Sequence, residues 1–427
     1  MASYSCVQKR VSVQFTFAAS VGGRTERAAF MSAKELVFFA PFFWSGKRKG
    51  NKKEKIYTIA IRLYIIQEFY VTLQVKIIYQ QNYINTYNSA FYMIAKIGIN
   101  GFGRIGKMVF RLAEGDPCIE ITHINDKMDT RLMAHLLKYD SIHGRFNADI
   151  SFDNDHLIVN GRKILVTNQM HPADIPWDRT GVETVIDSSG RFKTAPLLTP
   201  HIHDSVKRVI LSCPPDDDSI DRTIVMGVNH NTIQEEDRII SNASCTTNCI
   251  AVALKVINDE FGMVRGFMNT VHPTTNNQNL QDGYHSDYRR ARSALANIIP
   301  TTSSAVRTTK LVIPEMANIF DGFATRVPVV DCSFVELTAE LHRQVTTRDI
   351  KDAFLRHANG DLKPYLEYTE EPIVSSDITD NPHSAIFDAM SVKVIGGNFI
   401  QLLVWYDNEY GYSSRIIDLI KYIYHYE

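Results

Sequence analysis

The feature that most constrains the fold is a glycine-rich turn between a β-branched run and an amphipathic run. Residues 94–100 read IAKIGIN, and their isoleucines predict a strand. Residues 101–106 read GFGRIG, and the chain then continues with apolar side chains at helical spacing. A GxGxxG pattern is weak alone, but between a strand and a helix it is typical of dinucleotide binding. The alternative is a tight turn that binds no ligand.

The residues of this turn and of the next strand predict the kind of dinucleotide. Gly101 and Gly103 would permit the tight turn and the close approach of a pyrophosphate, and Gly106 would permit close helix–strand packing. A strand predicted over residues 119–124 leads to Asp126, twenty residues after Gly106. A carboxylate there accepts hydrogen bonds from ribose hydroxyls and repels a 2′-phosphate, which favours NAD over NADP. Asp126 could instead cap the following helix.

Cys245, which lies among small polar residues, predicts covalent chemistry. Residues 241–249 read SNASCTTNC, and the apolar residues after them are spaced like one face of a helix. Cys245 would then lie at a helix N-terminus, where the macrodipole and free N–H groups favour a thiolate. His272 follows in a hydroxyl-rich segment and could pair with it, an arrangement suited to attack on a carbonyl. A buried structural cysteine is the alternative for a lone thiol.

The composition predicts a globular protein made of two differently composed pieces. The 427 residues are 44% hydrophobic and 22% charged, enough for two or more domains with a large core. The net charge of −1 gives no bulk electrostatic case for nucleic-acid binding, so none is expected. Residues 1–92 hold 13 Lys and Arg against 4 Asp and Glu, whereas the remainder is acidic. The two pieces meet near Met93.

Three interpretations of residues 1–92 are open. We prefer a non-native or disordered extension, with Met93 as the working start. A cleaved transit peptide fits the scarcity of acidic residues, and an additional binding segment is the third possibility. Arg62, Glu68 and Lys76 interrupt the most apolar stretch, which argues against a spanning helix and a membrane partner.

The six cysteines are scattered without framework spacing, which indicates reduced thiols in a reducing compartment. Cys245 and Cys249 are separated by three residues, but no further ligands with suitable spacing accompany them, so no metal site is predicted. We expect Cys249 to be a packed neighbour of Cys245.

These separated motifs, in order and spacing, resemble the phosphorylating glyceraldehyde-3-phosphate dehydrogenases and the closely related erythrose-4-phosphate dehydrogenases. The resemblance extends from about Ile94 to Tyr424. It implies an α/β fold: a doubly wound Rossmann NAD-binding domain over residues 94–244, and an α+β catalytic domain with a mixed, mainly antiparallel sheet over residues 245–408. A C-terminal helix over residues 409–424 would pack back onto the first domain. Residues 325–330 and 399–405 are predicted strands.

The resemblance also implies a reaction and its residues. Cys245 would attack the aldehyde of glyceraldehyde 3-phosphate, and His272 would take the thiol proton and then assist oxidation to a thioester. Inorganic phosphate would release the product, 1,3-bisphosphoglycerate. The implied NAD-binding residues are Gly103, Arg104, Ile105, Asp126, Ser189, Ser212 and Asn408. The implied substrate and phosphate-binding residues are Thr275 and Arg326 at one anion site, and Ser244, Thr246, Ser303, Ser304 and the intervening Arg290 at the other.

Two alternatives to the glycolytic reaction are open. Ser303 and Ser304 replace a Thr-Gly pair usual in the family, and some segments lean toward the erythrose-4-phosphate dehydrogenases. A binding protein without turnover would be expected to have lost Cys245, His272 or an arginine of the anion sites, and all are present. A cytoplasmic homotetramer is expected from the resemblance.

Overall fold

The computed structural model describes residues 94–425, so the predicted extension over residues 1–92 lies outside the described residues. The strands are β1 (Ala95–Asn100), β2 (Ile119–Asn125), β3 (Tyr139–Asp140), β4 (Gly144–Arg145), β5 (Ile150–Phe152), β6 (His156–Val159), β7 (Arg162–Thr167), β8 (Thr184–Asp187), β9 (Arg208–Leu211), β10 (Arg222–Thr223), β11 (Ile239–Ser241), β12 (Met263–His272), β13 (Ile299–Thr301), β14 (Phe320–Arg326), β15 (Ser333–Leu341), β16 (Leu366–Thr369), β17 (Ala385–Ile395) and β18 (Phe399–Tyr406). The α-helices are α1 (Arg104–Ala113), α2 (Thr130–Lys138), α3 (Ala195–Leu198), α4 (Cys245–Phe261), α5 (Ala305–Val312), α6 (Thr347–Asn359) and α7 (Tyr410–His425).

The first sheet has nine strands in the order β10-β11-β9-β8-β1-β2-β7-β6-β5. Its strands are parallel from β10 to β7, and β6 and β5 continue it as an antiparallel edge. The chain leaves β1 toward β2 on one side and later returns to β8 on the other. This reversal makes the carboxyl end of β1 a switch point, where open α/β sheets bind ligands.

Both faces of the first sheet are buried, as a doubly wound fold requires. Ile186 and Ile210 pack with β1 and α1 on one face, while Val185 and Val209 pack with Trp177 on the other. Neighbouring residues of one strand thus enter opposite cores because side chains alternate along a strand. The predicted doubly wound architecture is confirmed.

The second sheet has seven strands in the order β13-β14-β12-β15-β18-β17-β16. Two of its pairs are parallel, β12 with β14 and β16 with β17, and the other four are antiparallel. The predicted mixed, mainly antiparallel sheet is therefore confirmed. The predicted strand over residues 325–330 is wrong beyond Arg326, where β14 ends. Pro328 lacks an N–H for a ladder, so the β-branched residues around it do not continue the strand.

Helix α4 lies at the centre of the second core. Nearly all of its residues from Thr246 to Ile257 are buried, and its apolar side chains pack with β12, β15 and β18. A helix that is apolar on almost every side must be enclosed by other elements. The position of its first residue, Cys245, is consequently fixed by the packing of the whole helix.

Helix α7 packs on the first sheet's core. Tyr412, Ile416, Leu419, Ile420 and Ile423 belong to the same buried cluster as the residues of β1 and α1. Among the described residues, the helices are all too short or too polar to cross a membrane.

Candidate active site

A cleft of about 770 Å³ opens where the strands of the first sheet end and α4 begins. The two predicted catalytic residues line it, together with every predicted cofactor residue and three predicted phosphate ligands. These are Cys245, His272, Gly103, Arg104, Ile105, Asp126, Ser189, Ser212, Asn408, Ser244, Thr275 and Arg326. Residues separated by up to three hundred positions in the chain therefore meet in one cleft.

The glycine turn is shaped both for the fold and for a ligand. Gly101 has a φ of +97°, and a Cβ there would lie 2.5 Å from the backbone nitrogen of Ser189. A Cβ on Gly106 would overlap the carbonyl oxygen of Gly101. Gly103 differs, because a Cβ there would meet no protein atom within 4 Å. Its bare backbone faces the cleft at the start of α1, which suits the pyrophosphate of a dinucleotide.

Asp126 ties the glycine turn to the end of β2. Its carboxylate accepts hydrogen bonds from the backbone N–H of Phe102 at 2.6 Å and of Met128 at 2.9 Å. The N-cap of α2 is Asp129, whose side chain accepts from the N–H of Leu132. The alternative role of Asp126 as the helix cap is therefore taken by another residue, and Asp126 lines the cleft.

A buried polar network under the cleft was not anticipated from the sequence. Asn100 donates to the carboxylate of Asp187 at 2.7 Å, and His201 lies 3.2 Å from the same carboxylate. The other oxygen of Asp187 accepts from the hydroxyl and the N–H of Ser189. The network thereby fixes Ser189 at the cofactor side. The sequence signal for this network is that Asn100 and Asp187 each end an apolar strand.

Cys245 is the first residue of α4, and its Sγ lies 3.5 Å from Nε2 of His272. Ser244 caps the helix by accepting from the N–H of Thr247 at 2.9 Å. Burial raises the pKa of the Cys245 thiol, while the Arg326 guanidinium and the N–H groups of the first helical turn lower it only in part. The N–H groups at the helix N-terminus therefore act in the expected direction, but burial opposes them.

His272 ends β12 and is buried beside Arg326. Burial, reinforced by the Arg326 cation, lowers the pKa of His272 to about 3, so the imidazole is neutral near pH 7. Transfer of the Cys245 proton to Nε2 would place opposite charges 3.5 Å apart. Their attraction is roughly 5 kcal/mol at an effective dielectric constant of about 20. This attraction offsets only part of the cost of charging two buried groups, so an ion pair needs further stabilisation, for example from a bound ligand.

Two groups compete for Nδ1 of His272. Arg326 Nη1 lies 2.5 Å from Nδ1, and the carbonyl oxygen of Pro273 lies 3.0 Å from it. If Arg326 donates to Nδ1, the proton of the neutral ring must sit on Nε2, which then cannot accept the thiol proton. If Nδ1–H donates to Pro273, Nε2 is free to act as a base. The position of Arg326 thus selects the tautomer.

Four predicted phosphate ligands lie outside the cleft lining. Thr246 is turned into the core, where its hydroxyl lies 2.8 Å from the hydroxyl of Tyr406. Tyr406 is also 2.9 Å from the hydroxyl of Thr270, and its ring contacts that of His272. This buried tyrosine supports both the nucleophile's helix and the base. It was not singled out in the sequence.

The other three predicted phosphate ligands, Arg290, Ser303 and Ser304, lie near the turn before α5. Arg290 donates from Nε to the hydroxyl of Thr301 at 2.9 Å. Ser303 lines a second cavity of about 900 Å³, and Ser304 directly precedes α5. This second cavity contains the basic side chains of Arg289, Arg307 and Lys310.

Asn408 presents its amide to the cleft. Its Oδ1 accepts a hydrogen bond from the hydroxyl of Ser333 at 3.0 Å, which leaves the amide nitrogen available as a donor. Next to it, Glu409 forms an ion pair with Arg104 of the glycine turn. Arg104 also pairs with Asp140 at 2.6 Å, so this side chain braces the cleft and is not free to bind a phosphate.

Comparisons with known proteins show which family the chain is similar to. Residues 95–195 match the family model for the glyceraldehyde 3-phosphate dehydrogenase NAD binding domain, and residues 244–408 match the model for its C-terminal domain. A glyceraldehyde-3-phosphate dehydrogenase of Priestia megaterium is 47% identical over 332 residues, 78% of this chain and 98% of that protein. The glyceraldehyde-3-phosphate dehydrogenase of Streptomyces coelicolor is 48% identical over 334 residues, which cover 78% of this chain and 99% of that protein. The enzyme of Geobacillus stearothermophilus is 46% identical over 332 residues, which cover 78% of this chain and 98% of that protein.

The two cleft glycines Gly103 and Gly106 should respond differently to the same added methyl group. We expect G103A to fold with a free energy of unfolding within about 0.5 kcal/mol of the parent, because its φ of −74° suits alanine and the space is open. Its affinity for NAD should fall, because the methyl group occupies the cofactor's approach. G106A should lose about 1–3 kcal/mol of stability through overlap with Gly101. Denaturant titration measures the free energy of unfolding, and calorimetry measures the affinity for NAD. An unchanged NAD affinity in G103A would contradict the proposed position of the cofactor at Gly103.

The thiol of Cys245 should depend on His272 for its reactivity. In H272N we expect iodoacetamide to alkylate Cys245 slower by about tenfold or more at pH 7, because the stabilising imidazolium is lost. Mass spectrometry of the peptide containing Cys245 measures the rate, and replacement of the exposed His171 by Asn is the matched control. Equal rates in H272N and H171N would rule out the pair.

Proposed function

The chain belongs to the glyceraldehyde 3-phosphate dehydrogenase family, and we propose that Cys245 and His272 perform the NAD-dependent oxidative phosphorylation of glyceraldehyde 3-phosphate. Membership of this family makes it an NAD-dependent oxidoreductase of glycolysis. The observation that carries the residue assignment is the 3.5 Å approach of the thiol to the imidazole, at a helix N-terminus inside the cofactor cleft. Each role below is part of the proposal.

The chemistry begins with proton transfer from Cys245 to Nε2 of His272. The thiolate attacks the aldehyde carbon, and the N–H of Cys245 with the imidazolium stabilises the oxyanion of the thiohemiacetal. The imidazolium returns its proton to this oxyanion, and the neutral His272 then removes the proton of the resulting hydroxyl as the carbon loses hydride. NAD, when bound, accepts that hydride. Phosphate attacks the resulting thioester, which frees Cys245 and yields the acyl phosphate.

The residues that would hold NAD are those that line the cleft. The turn at Gly103, with Arg104 and Ile105, would receive the pyrophosphate at the start of α1. Asp126 would accept the ribose hydroxyls. Ser189 and Ser212 would border the dinucleotide at the ends of β8 and β9. The amide nitrogen of Asn408 would donate to the nicotinamide carboxamide and so select the ring face.

Two anion sites complete the proposal. Thr275 and Arg326 would bind the substrate phosphate, since both line the cleft beside His272. Ser244 would begin the second site, with Thr246, Arg290, Ser303 and Ser304 farther from the cleft. We propose that the substrate phosphate draws Nη1 of Arg326 away from Nδ1 of His272 and thereby releases Nε2 as the base.

A homotetramer is proposed as the functional assembly. One face of the second sheet exposes Phe267, Phe323 and Phe399, with 66%, 49% and 45% of their surfaces accessible. Large apolar side chains gathered on one sheet face are typical of a protein interface. Light scattering coupled to size exclusion measures the number of subunits in the assembly.

A cytoplasmic location is proposed as well. The proposed domain boundaries lie near residues 244 and 408.

The activity itself is tested by NADH formation with the full chain. We expect a phosphate-dependent rate on glyceraldehyde 3-phosphate that exceeds the rate on erythrose 4-phosphate. Faster turnover of the tetrose with little dependence on phosphate would reassign the chain to the erythrose-4-phosphate activity. Loss of NADH formation in C245S is the control that excludes a contaminating enzyme.

The dual position of Arg326 predicts a change in substrate preference. In R326M we expect kcat/KM for glyceraldehyde 3-phosphate to fall by about tenfold to a hundredfold, from lost charge-assisted hydrogen bonds to the phosphate. For glyceraldehyde, which lacks the phosphate, kcat should stay equal or rise, because nothing then blocks Nδ1 of His272. Steady-state kinetics on both aldehydes measure this, with R348M, an Arg-to-Met change at a side chain that is 88% exposed, as the matched control. An equal loss on both substrates would show a general structural role.

A further inference from the structure

A second cluster of ionisable side chains lies outside the catalytic pair. His143 sits in the turn between β3 and β4, Asp331 precedes β15, and Glu409 precedes α7. Their side chains are 2%, 3% and 13% exposed. Three segments that are remote in sequence therefore bring an imidazole and two carboxylates into one buried space.

Asp331 is the unusual member of the cluster. The residue is 4% exposed, and neither carboxylate oxygen has a hydrogen-bond partner. A buried carboxylate without partners is costly, and proteins offset that cost with a cation, with hydrogen bonds or by keeping the group protonated. Its nearest cationic atom is Nε2 of His143, 3.9 Å away, which is beyond hydrogen-bonding distance. A bound cation would offset the cost that the protein's own cations leave.

The charges around Asp331 are strongly unequal. Asp380, Asp407 and Glu409 lie in the same cluster, and Asp140 adjoins it through Arg104. The basic groups that pair with these five carboxyl groups are the imidazole of His143 and the guanidinium of Arg104. A divalent cation would reduce this excess of negative charge.

The spacing of the donor atoms suits a metal ion. Nε2 of His143 lies 3.0 Å from Oε2 of Glu409 and 3.9 Å from Oδ2 of Asp331. One nitrogen or oxygen from each of these three residues lies within 4.8 Å of the others. Tetrahedral zinc with ligands at about 2.0–2.2 Å has ligand–ligand edges of about 3.3–3.6 Å. The observed distances bracket this value, but Oε2 of Glu409 also accepts from Arg104, so metal binding would have to draw this oxygen away from the guanidinium.

The outer contacts of the cluster match those of metal sites. Nδ1 of His143 lies 2.6 Å from a carboxylate oxygen of Asp380, which would fix the ring with Nε2 toward the ion. Asp407 accepts backbone N–H groups of Asp380, Glu409 and Tyr410, so it holds the surrounding loops in place. The side chain of Asp380 is 51% exposed, which leaves a route from solvent.

We propose that His143, Asp331 and Glu409 bind a divalent transition-metal cation of the zinc type, with Asp380 orienting the imidazole. Coordination replaces the proton on Nε2, which leaves to solvent, and a water molecule completes the tetrahedron. The imidazole nitrogen favours Zn²⁺ over Mg²⁺, which prefers oxygen ligands in an octahedron. The ion would join the β3–β4 turn to the starts of β15 and α7. The inference does not depend on the roles of Cys245 and His272, but Glu409 also lines the cofactor cleft, where it pairs with Arg104.

Zinc binding by the full chain and by D331N tests the proposal. The active-site thiol also attracts Zn²⁺, but it is present in both proteins, so the difference isolates the cluster. We expect equilibrium dialysis with metal analysis to find one more Zn²⁺ per chain in the parent than in D331N. D174N, an Asp-to-Asn change at an exposed position, is the matched control and should bind as the parent does.

Thermal unfolding provides the second measurement. Zn²⁺ should raise the Tm of the parent and of D174N by more than that of D331N, which keeps only the thiol site, while Mg²⁺ should affect none of the three. D331N should fold at least as stably as the metal-free parent, because the change removes an unpaired buried carboxylate. Should it fail to fold, H143Q replaces it with the same expectations. Equal zinc content in the parent and the variant would show that the cluster is an ion-pair network only. The same conclusion would follow if the parent bound no zinc beyond that held by the active-site thiol.

Discussion

The burial of helix α4 is the constraint on which the active site depends. Because the helix is enclosed by β12, β15 and β18, its first residue cannot move without disturbing the core of the second sheet. Cys245 therefore keeps its place at the mouth of the cleft, and the adjacent β12 ends in His272 at a fixed separation. Packing energy that has no chemical role thus sets the geometry of the reacting pair.

The same principle operates on the cofactor side through charge. Arg104 begins α1 after the glycine turn, and Glu409 lies beside Asn408 just before α7. Their ion pair joins two parts of the cleft wall that are 305 residues apart in sequence. Their side chains are 30% and 13% exposed, so the pair is less screened by salt than a fully exposed pair.

The sequence was informative where function depends on local pattern, and less so where it depends on distant contacts. The strand, glycine turn and first helix follow from residues 94–113, because backbone geometry there is decided by neighbours. The strand β14 ends at Arg326 because Pro328 has no N–H to donate to the ladder. This loss outweighs the strand preference of the β-branched residues beside it. The inward position of Thr246 depends on Tyr406, 160 residues away, and no local signal indicates it. The roles assigned to individual site residues stay predictions.

The position of Arg326 shows why an active site can use one cation for two tasks. A guanidinium has several donors, but they lie in one plane and move together. In this structure Nη1 of Arg326 lies 2.5 Å from Nδ1 of His272, where it competes for the nitrogen that must carry the ring proton if Nε2 is to act as a base. On the proposed mechanism, a phosphate that draws Nη1 away would couple recognition of the substrate to activation of the thiol through one side chain.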